Sequence, residues 1–408
     1  MPLRSLVVDF NSFFASVEQQ EDPRLRGKPV GVVPLMSDST CCIAASYEAK
    51  HFGVKTGTNV GEAKKMCPGL HLIEARHAKY VKYHHALVEA VESCLHVDRV
   101  MSIDEMACEL PTNLRATEQT LSLARRIKQT ISQKVGAQLR CSIGIAPNVF
   151  LAKTASDMQK PDGLVVLQSE DLPHRLHTLE LRDLCGIGHN MEERLHRHGI
   201  FTVKALCQAD KELLHKVWGG IEGERMYDRL RGEEVWQPAT NKTTIGHSHV
   251  LPPAKRNDAS ALAILDRLLQ KALTRLRKSG HLCAGLHLSL KYTDKARWAH
   301  DITFQETQDT LECLRLLQQL WKQRPQRDQP LLAVGVTLFN LIAETNHTLP
   351  LFPKSATRQK LNRVMDQINE KFGKDSLYYG GAIEALQDAP MRIAFTHIPD
   401  LDLEADPD

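Results

Sequence analysis

The sequence predicts an α+β protein of several domains, and three patterns carry that prediction. Residues 4–168 follow a strand–helix–strand–strand–helix–strand succession, the split βαβ arrangement of a ferredoxin-like sheet, with an insertion at 20–77. Residues 169–233 read as short helices alone. Residues 247–342 alternate strands and helices a second time. A chain of 408 residues accommodates about two to four domains. Its apolar fraction of 42% and charged fraction of 25% are ordinary for a globular chain.

The elements follow in order. RSLVVD is a short buried strand ending at Asp9. FNSFFASVEQQ then takes helical spacing, with Phe10, Phe13, Phe14 and Val17 on one face. PVGVVP is a strand, CCIAASYEAKHFGV runs from strand to helix, NVGEAKKMCPG is a helix closed by Pro68-Gly69, and HLIEAR is a strand. A long helix over 78–96 precedes DRVMSIDEMACEL, which alternates like one strand over 98–110. A helix at 116–135, the strand LRCSIGIAP, the helix NVFLAKTASDMQ, the turn KPDG and the strand LVVL complete this part. Residues 234–246 read as a linker, 258–279 and 308–322 as helices, 331–340 as a strand and 357–373 as a last helix before an acidic, disordered end.

Composition excludes several classes. No apolar run approaches the ~20 residues that cross a bilayer, so no membrane partner is expected. The N-terminal apolar run is too short for a signal peptide, and Asp9 interrupts it. The ten cysteines form no C-x-x-C pair, and most sit in apolar surroundings, as Cys94 and Cys141 do. That pattern fits free thiols in a reducing cytoplasm, not disulfides or zinc. The net charge of +3 is small, but residues 241–300 hold 11 Lys and Arg against 3 acids. Such a stretch fits either a polyanion partner or a solvated helix face.

Asp9 closes the first strand, and Asp104-Glu105 lie in SIDE. Strands 1 and 3 of a split βαβ unit are neighbours, so these acids can converge across the sheet. Consecutive residues of an ideal strand point to opposite faces, so Asp104 and Glu105 share a site only at a strand end or bulge. Clustered carboxylates need a hard cation, and oxygen-only ligands favour Mg²⁺, with Mn²⁺ possible. Two such ions would clamp the attacking and leaving oxygens of phosphoryl transfer. Taken alone, the acids read more readily as an ordinary strand end and a surface pair; the basic groups of SYEAKHFGV and KPDG reverse that preference toward the chemical reading.

The blocks VVDFNSFFASVE, RGKPVGVV, ASYEAKHFGVKTG, SIDE, SIGIAPNVFLAKTASDMQKPDG and LCGIGHNMEERLHRHGI occur in this order, and through them the chain resembles the Y-family (UmuC/DinB-type) translesion DNA polymerases. The resemblance implies a right-hand polymerase: a ferredoxin-like palm at 1–19 and 78–168, small fingers at 20–77, a helical thumb at 169–233, a linker at 234–246, an α+β little finger at 247–345 and a tail at 346–408. It implies low-fidelity extension of a primer by dNTPs in damage tolerance, without proofreading, in a bacterial cytoplasm. Asp9, Asp104 and Glu105 become the catalytic carboxylates and, with the Phe10 carbonyl, the ligands of two ions. Phe13 and Phe14 fall at the nucleotide, Phe14 as the steric gate against a 2′-hydroxyl and Phe13 as core packing. Tyr47, Lys50 and Lys160 would hold the triphosphate. Asn11, Ala44, Lys50, Met101 and Val149 depart from the family's commonest residues, which touches nucleotide affinity and not the reaction.

Primer-template DNA would be gripped by a helix-hairpin-helix at Gly186 and Gly188 and by Lys255, Arg256, Arg275, Arg277, Lys278 and Lys291, through phosphates. TLPLF resembles a sliding-clamp peptide with Leu349, Leu351 and Phe352 as anchors. Two alternatives remain, an inactive scaffold of the same family and a helix-hairpin-helix DNA-binding protein. Retention of all three acids argues against the first; SYEAK and KPDG are unexplained by the second.

Overall fold

The computed structural model describes residues 2–236, 243–346 and 356–388, with residues 393, 398, 399 and 401. Leu349, Leu351 and Phe352 lie outside the described residues. The described residues divide into two units, the first holding residues 2–236 with 393 and 398, the second residues 243–346 and 356–388 with 399 and 401.

In the first unit β1 (Ser5–Phe10) passes into α1 (Phe13–Glu21) through Ser12, a non-glycine residue at φ 50°. A sub-block follows: β2 (Val30–Val33), β3 (Ala44–Ala45), α2 (Tyr47–Lys50), α3 (Val60–Met66) and β4 (His71–Glu74). Its three strands run β3-β2-β4 over a small core that includes Val33, Ala45, Val54 and Val60. The chain returns through α4 (His77–Glu92), β5 (Arg99–Ser102), β6 (Glu105–Glu109), α5 (Thr117–Lys134), β7 (Cys141–Ala146), α6 (Val149–Met158) and β8 (Leu164–Val166). These strands complete a sheet ordered β5-β6-β1-β7-β8, with β1 antiparallel to both neighbours.

Every residue of β1 and β7 is buried, which explains their nearly unbroken apolar runs. Helix α6 packs across both strands. Gly144 in β7 permits that approach: a Cβ there would stand 1.9 Å from the Ala152 carbonyl oxygen. The single strand expected over 98–110 is instead a hairpin that turns at Ile103-Asp104. Its alternation continues through the turn, and no glycine or proline marks the break.

Helices α7 (His189–Arg197), α8 (Val203–Gln208), α9 (Lys211–Trp218) and α10 (Ile221–Arg229) share a core with Val7 and Ala146 of the sheet and Leu151 of α6.

The second unit holds β9 (Thr244–Val250), α11 (Asp258–Lys278), β10 (His281–Tyr292), β11 (Arg297–Thr307), α12 (Thr310–Gln323), β12 (Leu331–Ala343) and α13 (Ala356–Phe372). The sheet runs β11-β10-β12-β9. Apolar residues of α11 and α12, such as Ile264, Leu268 and Leu317, form one core with Leu286, Leu288, Val336 and Leu338 of the strands. The segment after β12 is more than a lone helix. Residues 356–388 fold back on α11, tied by Arg277–Asp366 at 2.5 Å and Arg267–Asp375 at 2.8 Å.

Asp266 of α11 is 6% exposed beneath this layer, facing Gly381. One of its oxygens has no hydrogen-bond partner, and burial pushes the carboxyl up to about 6. A folded-state value raised above the unfolded one favours the neutral acid, so stability is fully present near pH 4 and is lost as pH rises through 6. The penalty above pH 7 is at most about 3 kcal/mol. Asp266→Asn should therefore raise the urea midpoint at pH 8 and lose that advantage by pH 4. Equal midpoints at pH 8 would show that Asp266 is not strained.

Candidate active site

The sheet register builds the site. Asp9 lies directly opposite Glu105, and the Phe10 N–H donates to the Asp104 carbonyl at 2.8 Å. Asp104 sits in the β5–β6 turn and Glu105 opens β6, so the strand end expected for these two acids is present. Asp104 Oδ1 accepts from the Ser102 hydroxyl at 2.7 Å. Burial, then repulsion from Asp9 and Glu105, push the Asp104 carboxyl up to about 6 against that hydrogen bond.

Two lysines answer the acids. Lys153 Nζ lies 2.5 Å from Asp9 Oδ2 and 2.8 Å from Glu105 Oε1. Lys160 Nζ lies 2.8 Å from Asp9 Oδ1. Asp157 binds both lysines, at 3.0 and 2.8 Å. The carboxylates around Lys153 outweigh its burial and raise its basicity well above normal. Sequence reading found Lys160 and missed Lys153 and Asp157. The signal was their spacing of 153, 157 and 160 on one side of α6 and its exit.

Asn11 fixes the turn that carries Lys160. Its amide donates to Ser142 Oγ at 3.1 Å and its Oδ1 accepts the Asp162 N–H at 2.8 Å. A carboxylate could not make that donation, which gives this departure from the family's usual acid a structural reason.

Ser46 caps α2 by accepting the Ala49 N–H, which sets Tyr47 and Lys50 one turn apart. Lys50 Nζ stands 4.3 Å from the centre of the Tyr47 ring. Desolvation and then Lys160 lower the Lys50 ammonium; burial raises the Tyr47 hydroxyl. The charges of Lys160 and Asp9 act on both groups. Phe14 is half-buried and stacks on Tyr80 at 4.4 Å between ring centroids. Tyr80 is pinned by a 2.7 Å hydrogen bond to the fully buried Glu18, which Arg76 also binds. Phe13 is 3% exposed and packs on Phe10 and Tyr80, so it belongs to the core and not to a nucleotide surface.

As placed, no three acidic, histidine or cysteine side chains among the described residues converge on one ion. The oxygens of Asp9 turn to the two lysines instead. The donor set itself suits a hard divalent cation: three carboxylates, one of them destabilised as an anion by burial and then by its neighbours.

Models of the impB/mucB/samB family match residues 8–157, and those of its C-terminal domain residues 242–351. DNA polymerase IV of Moorella thermoacetica is 33% identical over 90% of this chain and 93% of its own. The chain belongs to the Y-family of DNA polymerases. DNA polymerase IV 1 of Halalkalibacterium halodurans is 30% identical over 93% and 94% of the two chains. A Y-family DNA polymerase chimera of Dbh and Dpo4 superposes with a TM-score of 0.72 at 24% identity, over 83% of this chain and 99% of that one. The insertion ternary complex of Dbh DNA polymerase matches with a TM-score of 0.54 at 25% identity, over 83% and 99%. The protein is thus a translesion-class DNA-directed DNA polymerase, and membership implies dependence on a divalent cation. No helix among the described residues is long and apolar enough to cross a membrane.

The Y-family fold also frames the DNA-contact expectations. Gly186 has φ 87°, and Gly188 precedes α7 at the rim of a shallow depression with His189, Asn190, Met191 and Arg194. A Cβ at either glycine would meet nothing within 4 Å, so this hairpin is open. The basic set of the second unit divides. Arg277 is withdrawn from the surface by Asp366, the Gln308 carbonyl and Thr310. Lys255 is paired with Asp388 at 2.5 Å. Arg256 donates to the Leu251 carbonyl at 3.1 Å, and Arg275 lies 3.4 Å from His247 Nε2. Lys278 is exposed; Lys291 lies on the sheet face away from the α11–α12 core, with His287 and Ser289.

Asn148 locks α6 in place. It accepts the Leu151 N–H at 2.8 Å and donates to the Arg229 and Glu233 carbonyls at 2.9 Å each. Asn148→Ala should destabilise the first unit by about 1–3 kcal/mol, read as a lower urea midpoint. Asn148→Asp, which restores the cap but not the donors, should recover only part of the loss.

Proposed function

We propose that the protein extends a primer 3′-hydroxyl with dNTPs, and that Asp9, Asp104 and Glu105 hold the divalent cations of that reaction, Mg²⁺ or Mn²⁺. The observation that supports this reading is the Asp9–Glu105 register beside the Asp104 turn, which sets Asp9 on the strand next to Asp104 and Glu105 although 95 residues separate it from Asp104 in sequence. When bound, the cations would neutralise the attacking and leaving oxygens of phosphoryl transfer. The Phe10 carbonyl remains a candidate further ligand, since its backbone joins Asp104.

The chain's own residues do the rest. Tyr47, Lys50 and Lys160, a hydroxyl and two ammonium groups whose charges act on one another, would hold a triphosphate. The first turn of α1 adds backbone N–H groups that its N-cap residue Ser12 does not engage through its side chain. Phe14, its ring fixed by Tyr80, would meet C2′ of the sugar and exclude a hydroxyl there. In the first unit the open turn at Gly186 and Gly188 would contact primer-template DNA; in the second, the exposed Lys278 and the half-buried Lys291 would do so. The similarity to the insertion ternary complex of Dbh DNA polymerase agrees with DNA and nucleotide as joint partners. A sliding clamp is a further proposed partner, through Leu349, Leu351 and Phe352.

Asp104→Ala should abolish primer extension in Mg²⁺ while primer-template affinity, measured by fluorescence anisotropy, changes little. Extension within about tenfold of wild type, a barrier change near 1.4 kcal/mol, would remove Asp104 from the cation site. Phe14→Val should raise ribonucleotide incorporation relative to deoxyribonucleotide by orders of magnitude in single-nucleotide extension. Unchanged discrimination would make Phe14 a packing residue.

A further inference from the structure

Lys153 projects from the middle of α6 into the carboxylate cluster. Its three N–H donors meet Asp9 at 2.5 Å, Glu105 at 2.8 Å and Asp157 at 3.0 Å. The side chain is only 11% exposed. A lysine kept for its hydrocarbon stem would turn its ammonium to water; this one turns inward, against the cost of desolvation. Lys160 takes the other oxygen of Asp9, so both of that residue's oxygens bind lysine.

A divalent cation held by Asp9 and Glu105 would draw on the same carboxylate oxygens. The ammonium and such a cation cannot share them. We infer that Lys153 is a tethered counter-ion of the catalytic carboxylates, a positioning residue that holds Asp9 and Glu105 together and competes with the divalent cation for them. Asp157 completes the device. It lies one helical turn beyond Lys153 and already binds it, so an ammonium displaced from Asp9 and Glu105 keeps a partner without movement of α6. Charge agrees with this reading. Asp9, Asp104, Glu105 and Asp157 carry four negative charges against two positive ones on Lys153 and Lys160, and one divalent cation closes the difference.

The inference rests on the reading of Asp9, Asp104 and Glu105 as the cation site, and its test separates the two. Mn²⁺ binding would be measured by electron paramagnetic resonance, without DNA or nucleotide, on wild type, Lys153→Met, Lys153→Arg and Asp104→Ala. Lys153→Met should bind Mn²⁺ roughly tenfold more tightly than wild type, since a positive charge has left the site. Its melting temperature should fall in EDTA and recover with Mn²⁺, as the acids lose and then regain a counter-charge. Lys153→Arg keeps the charge and should bind Mn²⁺ like wild type, which excludes a general effect of disturbing α6. Equal affinity of Lys153→Met and wild type, with binding still lost in Asp104→Ala, would overturn the competition and leave the cation site standing. Binding that ignores Asp104 in every variant would overturn both.

Discussion

Carboxylate repulsion at the ends of β1 and β6 is the constraint on which the catalytic unit depends. Two unit charges about 4 Å apart cost about 4 kcal/mol at an effective dielectric near 20, a large share of a domain's stability. The fold meets that cost with lysines from α6 and from the turn that follows it. Everything that seats α6 therefore serves the acids: Gly144, which lets the helix close on β7; Asn148, which caps it and joins it to the end of α10; and Asn11, which fixes the turn carrying Lys160. These residues lie far apart in sequence and make one electrostatic arrangement.

The acids were legible in the sequence because an apolar strand that ends at an aspartate is a local pattern, and SIDE is another. The pairing of β1 with β6, which sets Asp9 opposite Glu105, followed from the neighbourhood of strands 1 and 3. The hairpin turn at Asp104 was not legible, because the alternation of MSIDEMACEL continues across it. Lys153 and Asp157 were hidden for a different reason. A charged residue inside an amphipathic helix reads as a solvated face, and only the register of α6 against β1 turns it inward.

The basic stretch of the second unit shows the converse error. Charge counts within a window cannot register a partner outside it. Arg277 and Lys255 are neutralised by Asp366 and Asp388, residues 89 and 133 positions away. That pairing assigns much of the local charge to stability. It also explains why residues 356–388, beyond the matched C-terminal domain, hold a defined place on α11. Burying Arg267 requires that cover, because an uncompensated guanidinium in the core would be strongly destabilising.

Lys50 stands where the family commonly has arginine, and the difference is chemical as well as geometric. An arginine stays charged in any protein environment, whereas a lysine responds to its surroundings. Here desolvation and Lys160 both work against the Lys50 charge, while the Tyr47 ring beside it favours a cation. A triphosphate placed between Lys50 and Lys160 would reverse the first effect, since its negative charges stabilise both ammonium groups and screen each from the other. The two lysines are then opposed to one another until an anion joins them. A pocket of this kind would bind phosphate through separate point charges, without a bidentate fork, and so would fix the phosphate's charge more firmly than its orientation. Orientation would then fall to the rigid parts of the proposed site, the Ser46-capped α2 and the Phe14 ring stacked on Tyr80.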